Sequence, residues 1–433
     1  MEMLEKYASF ILERATALGA DKAVCSVAQS TKREFNVDGG KFSLFRTVFS
    51  DSVSITVFVG GKKGSVSLNK FDEESLGRAV EECIASAESA VADTAWEIAE
   101  GIGEKHFYKG VYEPDTEKLF FRCRELTEDI AKRHPKIMME QMIVSHDAAK
   151  RLYRTTTGNS YYTVSGFYEI DLMYSAHEGE KASSFFGSSQ ITAELDRPFI
   201  ELGLIDTELS AIENQIDTAP ASGKYVGRVI FAPGCFASDV IGTVCGAFAG
   251  DTVILDGTSL WKNKLSQRVA DKRLTVSFKP SDSRIVCKDN YSGEGYISED
   301  FDFIRGGVLQ GFMISQYVAN KTGFNRAPNS GANLVVEPGT ESLDDIIART
   351  EHGLLVMRFS GGNPGSNGEF SGVAKNSFHI EDGKIASAAG ETMISGNLAE
   401  MLCSLAGISS EFCADGLSVV PYVAFDGITI SGK

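Results

Sequence analysis

Short runs of β-branched and aromatic residues, separated by glycine turns, constrain the fold of this chain most strongly. An amphipathic segment with apolar residues at helical spacing comes first and is followed by Gly19, which is typical of the left-handed residue after a helix end. Five runs then succeed one another: Ala23 to Ala28, Arg33 to Val37, Phe42 to Phe49, Val53 to Val59 and Ser65 to Leu68. The turns Asp38-Gly39-Gly40 and Gly60-Gly61-Lys62-Lys63-Gly64 indicate hairpins. The pattern predicts a helix against an antiparallel meander.

The order of helix and strands then recurs, and the last part of the chain changes character. Apolar residues from Leu119 to Ile130 predict a helix, and strand-like runs follow it. The small, polar stretch Thr218 to Gly223 is typical of a linker, and glycine-rich short strands fill the remainder. We predict an α+β fold in which N-terminal helix-plus-antiparallel-sheet units precede a Gly-rich, strand-dominated C-terminal domain. The predicted domains are residues 1–110, 111–220 and 221–433.

Charge and cysteine content exclude several function classes. The net charge of −17 repels a phosphate backbone, so direct nucleic-acid binding is not expected. Acidic residues interrupt the first apolar segment, and no run of about 18 apolar residues occurs, so we expect neither a signal peptide nor a membrane span and predict a cytoplasmic protein. The eight cysteines show no CxxC spacing, which is typical of reduced, buried thiols and not of a zinc knuckle.

Motifs that carry their own chemistry are absent from the sequence. Neither a phosphate-binding GxxxxGK[ST] nor a nucleophile-elbow GxSxG occurs. The pair His177-Glu178 has no second histidine one helical turn later, which a zinc protease helix needs. Residue types alone therefore do not assign a reaction.

A set of ordered stretches resembles the TldD/PmbA family, the "modulator of DNA gyrase" proteins. The C-terminal stretches are Arg358 to Gly372, with the sequence RFSGGNPGSNGEFSG, then Phe378 to Ile385 and Ile394 to Leu398. Supporting stretches are Gly293 to Tyr296, Ile304 to Gly311 and Ala17 to Ala23. They occur in the order of the family and span nearly the whole chain.

The resemblance implies a particular kind of subunit. The family contains TldD-type subunits, which carry an HExxxH metalloprotease motif, and PmbA (TldE)-type subunits, which lack it. Matching Gly250-Asp251 to the end of that motif puts Ile241 and Gly242 at the His-Glu positions and Gly246 at the second histidine. These residues cannot hold zinc, so the chain resembles the PmbA (TldE) type. The resemblance implies no cofactor in this chain and zinc in a TldD-like partner.

The resemblance also points to the glycine- and asparagine-rich stretch Gly361 to Gly372. We expect a loop that lines a peptide channel or contacts the partner, with a flexible connection between strands as the alternative. The candidate residues are Gly361, Asn363, Gly365, Asn367, Phe370 and Ser371, with Asn325 and Arg326 as weaker candidates. Cys413 lies where TldD-type subunits have a late cysteine, and we expect it to be structural.

Three hypotheses on function remain open at this point. The first is a non-catalytic subunit of a cytoplasmic metalloprotease complex that degrades or processes unfolded peptides together with a TldD-like subunit. The second is a homodimeric peptide-binding or regulatory protein of the gyrase-modulator type without protease activity. The third is an independent hydrolase that uses Cys413 or the pair His177-Glu178.

Overall fold

The computed structural model describes residues 1–362, 364–365 and 367–432. It is about 24% helix and 42% strand, which confirms the predicted α+β class. The helices are α1 Glu2–Ala17, α2 Glu73–Ser89, α3 Thr116–Arg133, α4 Ile205–Glu213, α5 Pro233–Cys235, α6 Asp251–Leu255, α7 Gln316–Thr322, α8 Leu343–Ala348 and α9 Leu398–Cys403. π-Helical turns, with hydrogen bonds from residue i+5 to residue i, continue α5 at Phe236–Gly242 and Cys245–Ala249, and a short 3-10 turn lies at Phe199–Glu201.

The strands form two sheets. The strands of the first sheet and its margin are β1 Lys22–Asp38, β2 Lys41–Val59, β3 Lys62–Leu68, β4 Glu104–Gly110, β5 Ile137–Thr155, β6 Ser160–Glu178, β7 Lys181–Ala182 and β8 Phe186–Thr192. Those of the second are β9 Thr218–Ala219, β10 Lys224–Phe231, β11 Val276–Phe278, β12 Phe301–Arg305, β13 Val308–Leu309, β14 Leu334–Val335, β15 His352–Val356, β16 Arg358–Gly361, β17 Glu369–Lys375, β18 Ser377–Glu381, β19 Lys384–Ala389, β20 Thr392–Asn397, β21 Leu405–Ala414 and β22 Val419–Ser431.

The first sheet has the order β3-β2-β1-β5-β6-β4, with β7 and β8 also paired to β6. The apolar stripes of α1 and α2 pack on the odd-numbered side chains of β1, such as Cys25 and Val27, and α3 packs further along the same face. The opposite face carries the even-numbered side chains of β1, and loop segments cover part of it, since Tyr153 and Tyr161 are buried there together with Ile98. The helices therefore pack on one face of the sheet only.

The strands of the first sheet are longer than the sequence indicates. The runs predicted as separate strands on either side of Gln29 to Lys32 form one continuous strand, β1, so that prediction is wrong. This polar interruption lies where the sheet is half-buried or exposed on both faces, so apolar side chains are not required there. β1 pairs with β5 from Val24 opposite Thr155 to Asp38 opposite Gln141. The first two predicted domains thus share one sheet, and their boundaries stay predictions.

The second sheet is organised around β22. This strand pairs with β21 over its first half and with β10 over its second half, and with β14 and β20 near its two ends. Its side chains from Val423 to Phe425 are fully buried. The predicted linker contains β9, which pairs in parallel with β19.

The two sheets share a hydrophobic core. Ile170 of β6 and Leu209 of α4 belong to the same buried cluster as Ile230 of β10 and Tyr422 of β22. This packing brings β8, α4 and the start of the α5 helix together, which is where the candidate site lies. Within the described ranges, no helix is both long enough and apolar enough to span a membrane.

Candidate functional site

The helix that begins at Pro233 follows directly on β10 and forms one side of the candidate site. Pro233 occupies the first turn, where its missing N–H loses no helical hydrogen bond. The Phe236 N–H donates to the Ala232 carbonyl at 2.8 Å, and Phe236, Val240 and Ile241 are buried in the core of the second sheet. With its apolar side anchored in this way, the helix turns Asp239 away from the centre of the core.

Two cavities flank this helix. A cavity of about 280 Å³, here called the thiol pocket, lies towards β8, α4 and β21, and its lining includes Cys235, Asp239, Cys413, Glu208, Gln190 and Asp415. A cavity of about 110 Å³, the glycine pocket, lies towards β16 and β17, and its lining includes Asp239, Thr243, Gly361, Gly362, Pro364 and Phe370. Asp239 lines both, so the predicted stretch Gly361 to Gly372 and Cys413 lie on either side of the same helix.

The two thiols of the thiol pocket are protonated groups. Burial raises the pKa of Cys413 to about 12, and the Gln190 side-chain amide donates to the Cys413 Sγ at 3.6 Å. Burial and the neighbouring Asp239 carboxyl raise the pKa of Cys235 above its ordinary value. Nucleophilic attack and metal binding use the thiolate, so neither cysteine is prepared for that chemistry.

Sequence reasoning identified Cys413 but missed the other polar residues of this pocket, among them Glu208. Burial raises the pKa of its carboxyl to about 7. The Ser188 hydroxyl donates to the Glu208 carboxylate and lies 2.9 Å from the Tyr174 hydroxyl oxygen. The available signal was a carboxyl beside the apolar stripe of α4, directly before Leu209. The pocket thus combines two protonated thiols with the carboxyl groups of Glu208, Asp239 and Asp415, and these groups can form hydrogen bonds with the amide groups of a peptide backbone.

The stretch Gly361 to Gly372 is only partly a loop. Gly361 ends β16 and pairs with Gly372 of β17, so the prediction of a continuous loop is wrong at both ends. A Cβ atom on Gly361 would lie 2.4 Å from the Phe359 ring, and one on Gly372 would lie 2.5 Å from it. Glycine is required at both positions because the Phe359 ring lies across the pair of strands β16 and β17. Phe370 packs edge to face against it at 6.1 Å between ring centroids.

The remaining predicted residues of this stretch have structural contacts. The Asn367 side-chain oxygen accepts from the Glu369 N–H at 3.1 Å, and the Gly365 N–H donates to the Glu369 carbonyl at 2.9 Å. Ser371 pairs with Ser395 of β20. Asn363 lies outside the described residues. The turn between β16 and β17 is therefore stabilised by its own asparagine and backbone, and it closes one side of the glycine pocket.

The structure does not bring the other predicted residues to these two pockets. Arg326 lies over the Tyr296 ring at 4.0 Å and lines a separate cavity, and Asn325 is its exposed neighbour. His177 Nε2 lies 2.9 Å from the Ser175 hydroxyl, and Glu178 pairs with Lys136 at 3.0 Å, both at the end of β6. These contacts hold both side chains at the end of β6, away from the thiol pocket and the glycine pocket.

The residues at the expected metal positions do not fit a zinc ion. Ile241 is 1% exposed in the apolar core, and Gly242 and Gly246 offer no side chain. Among the residues that the structure describes, no group of three or more His, Cys, Asp or Glu side chains is arranged to hold a metal. Catalytic zinc normally has three protein ligands, so the donor set here is not a zinc site.

Comparisons with known proteins agree on one family. A family model described as the PmbA/TldA metallopeptidase C-terminal domain matches residues 222–432, and one described as PmbA/TldA metallopeptidase domain 1 matches residues 23–87. The chain is 22% identical to a "Metalloprotease PmbA homolog" of Haemophilus influenzae over 99% of this chain and 96% of that protein. It is 28% identical to a "Zinc metalloprotease TldD homolog" of Saccharolobus solfataricus, but over only 47% of this chain and 49% of that relative.

Among solved structures, the fold is similar to that of TldE from Thermococcus kodakarensis. The TM-score is 0.85 at 19% identity, and the superposition covers 99% of this chain and 100% of the other. At this identity the similarity concerns the fold alone.

Proposed function

The chain belongs to the PmbA/TldD metallopeptidase family, and from this membership we propose that it is a TldE-type, non-catalytic subunit of a cytoplasmic metalloprotease complex that degrades or processes unfolded peptides. The zinc of this complex lies in a TldD-like partner. One observation supports the proposal most: Ile241, which the family resemblance matches to the first histidine of the metal motif, is buried in the core, and Gly242 and Gly246, matched to its glutamate and second histidine, have no side chain that could hold zinc.

An exposed aromatic surface supports the need for a partner. We call it the phenylalanine arm, and it consists of Phe42, Phe45 and Phe49 on β2 together with Phe120 on α3. Phe49 is 77% exposed, and the rings of Phe42 and Phe120 lie 5.1 Å apart. The four side chains expose roughly 400 Å² of aromatic surface, about half of what one partner buries in a standard interface.

The backbone next to this arm is also unpaired on one side. β3 pairs with β2 only from Val53 to Val59, so residues 41–52 of β2 form an open strand edge. Open edges with apolar side chains are aggregation-prone unless another chain covers them. A subunit of the same fold that covers this edge explains both the exposed rings and the unpaired backbone.

The pockets beside the helix account for a role in peptide handling without catalysis. The thiol pocket presents the protonated Cys413 and the Glu208 carboxyl, whose pKa burial raises to about 7, and the glycine pocket is bounded by Phe359 and Phe370. Such groups hold an extended peptide through hydrogen bonds and apolar contact, and the protonated thiols are not prepared for nucleophilic attack on it.

The first experiment identifies the companion. The tagged chain is purified from its own organism at native expression, and proteins present in stoichiometric amount are identified by mass spectrometry. We expect a companion of similar length that carries HExxxH, zinc in the complex only, and cleavage of an unfolded peptide by the complex but not by this chain alone. A zinc-loaded, peptide-cleaving preparation of the isolated chain would overturn the proposal. Recovery of the chain only with itself would favour the homodimeric alternative.

A pair of variants tests the role of the arm. Phe49→Asp places a charge at the most exposed ring of the arm, so we expect the companion to be lost from the purified material. Val91→Asp is the matched control, because Val91 is 88% exposed but lies outside the arm. Equal recovery of the companion with both variants would contradict this assignment of the interface.

A further inference from the structure

A further cleft lies between the segment around Glu294 and the face of the first sheet opposite α1 and α2. We call it the tyrosine cleft because Tyr153, Tyr291 and Tyr317 line it, and its volume is about 460 Å³. A cavity of about 220 Å³ adjoins it and shares the residues from Ser292 to Glu294. Neither cavity shares a lining residue with the thiol pocket or the glycine pocket, and the volume is in the range of ligand sites.

Small side chains form the floor of the tyrosine cleft. Ser26 of β1 lies opposite Ser54 of β2 and opposite Tyr153 of β5, and Val24 lies opposite Thr56. These residues are on the face of the sheet away from α1 and α2. The short side chains leave a depression between the longer side chains at its sides.

Two cations stand on the sheet side of the cleft without a carboxylate partner. Lys63 lies over the Trp96 ring, with its Nζ 4.3 Å from the centroid, and it has no ion pair in the described part of the chain. Arg151 of β5 is exposed and forms no ion pair with any residue that the structure describes. An unpaired cation that faces a cavity is available to an anionic group of a ligand.

Two carboxylates stand on the other side. The Glu97 carboxylate accepts from the Asn320 amide at 2.9 Å, and the Glu294 carboxylate accepts from the Ser292 hydroxyl at 2.9 Å. In the described part of the chain, neither Glu97 nor Glu294 lies within 4 Å of Lys63 or Arg151 as an ion pair. Charges of opposite sign therefore line one cavity with space between them.

The walls of the cleft are held in position by hydrogen bonds. The hydroxyl of Tyr153 donates to the Gly293 carbonyl at 3.2 Å, and that of Tyr161 donates to the Gly295 carbonyl at 2.7 Å. On the other side, the Tyr317 hydroxyl donates to the Asp93 carboxylate at 2.9 Å. A cleft fixed in this way does not have to be ordered by the ligand, which favours binding.

We propose that the tyrosine cleft binds a short peptide through its two free termini. The α-carboxylate lies towards Lys63 and Arg151, and the α-ammonium lies towards Glu97 and Glu294. Two positive and two negative groups complement a zwitterion, whereas a polyanion such as a nucleotide is repelled by the carboxylates. The choice of a peptide rests on the proposed function, since short peptides are the products of such a complex. The cleft then serves as a site for cleaved peptides, apart from the pockets beside the helix.

The test measures binding to the isolated, full chain by titration calorimetry. The probes are trialanine with free termini, trialanine amide and N-acetyl-trialanine. We expect either blocking group to weaken binding about tenfold, because each removes one charge-assisted contact. Equal affinity for free and blocked trialanine would overturn the proposal.

Variants assign each terminus to its wall. Arg151→Gln should weaken the binding of free trialanine about tenfold and leave the binding of trialanine amide unchanged. Glu294→Gln should weaken the binding of free trialanine about tenfold and leave the binding of N-acetyl-trialanine unchanged. Lys70→Gln and Glu180→Gln are controls, because both side chains are exposed elsewhere. Tenfold weaker binding of free trialanine by a control variant would overturn the assignment. So would weaker binding of trialanine amide by Arg151→Gln, or of N-acetyl-trialanine by Glu294→Gln.

The trialanine test can fail or succeed independently of the proposed function. Trialanine binding needs neither a partner nor cleavage, so it persists if no HExxxH companion is found. A cleaving complex whose isolated subunit does not bind trialanine would refute the cleft alone.

Discussion

The substitution Glu208→Gln isolates the cost of ionising the buried carboxyl of the thiol pocket. Burial raises the pKa of Glu208 to about 7, whereas an ordinary glutamate titrates near 4.5. Below pH 4.5 the group is neutral in both the folded and the unfolded chain. Between pH 4.5 and about 7 the unfolded chain loses the proton first, so stability falls as the pH rises through this range.

The size of the effect follows from the displacement of the pKa. A change from 4.5 to about 7 corresponds to about 3 kcal/mol of unfolding free energy at pH 8. Glutamine resembles the protonated acid, since its amide oxygen still accepts from the Ser188 hydroxyl. We therefore expect Glu208→Gln to match the wild type near pH 4.5 and to be more stable by up to about 3 kcal/mol at pH 8.

Urea unfolding followed by tryptophan fluorescence measures this difference. The wild type and Glu208→Gln are compared at pH 4.5, 6 and 8, with Glu180→Gln as the control because Glu180 is exposed. The difference between Glu208→Gln and the wild type should grow with pH, and the control should show no such growth. A pH-independent difference, or a variant that is less stable at pH 8, would refute the reasoning.

Three further predictions concern buried groups and the glycine pocket. Burial lowers the pKa of His146. Its Nε2 donates to the Val111 carbonyl at 2.6 Å, and its Nδ1 has no hydrogen-bond partner among the described residues, so stability is lost as the pH falls below about 6.5. In acid melts, His146→Phe should reduce this loss, and exposed His352→Phe should not. Ile241→Ala should lower the unfolding free energy by ~2–5 kcal/mol in urea titrations, as for a core residue; a change below 1 kcal/mol would contradict its burial. Gly361→Ala should cost ~1–3 kcal/mol because its Cβ would meet a phenylalanine ring, whereas Gly362→Ala, which faces open space, should be within ~0.5 kcal/mol of the wild type in the same titrations; equal losses would contradict the packing.

Local structure was predictable from the sequence where neighbouring residues decide it. α1 ends at Ala17, and Gly19 has a φ of +92°, as the apolar spacing and the glycine indicate. The turn at Gly60 and Gly61 connects β2 to β3 with positive φ at both residues, as predicted. In these cases hydrogen bonds and dihedral preferences within a few residues fix the outcome.

Pairing between distant segments was not predictable in the same way. β1 and β5 are paired along their length, although more than one helix lies between them in the sequence. The candidate site has the same origin, because Glu208, Cys235 and Cys413 come from three segments that meet only in the folded chain. Nothing near Glu208 in sequence indicates that Ser188 will lie beside it. The stretch Gly361 to Gly372 could be singled out through the family resemblance, but its division into two strands and a turn depends on Phe359.

The central position of β22 has a consequence for the order of events on the ribosome. β10 and β22 are neighbours in the sheet, but β10 is synthesised while its partner is still absent. Roughly 200 further residues must be added before β22 is complete, which takes about 10 to 40 s at ~5–20 residues per second. Throughout this interval Cys413 has not yet reached the start of the α5 helix. A nascent chain therefore cannot complete the thiol pocket until nearly the whole sequence has been synthesised.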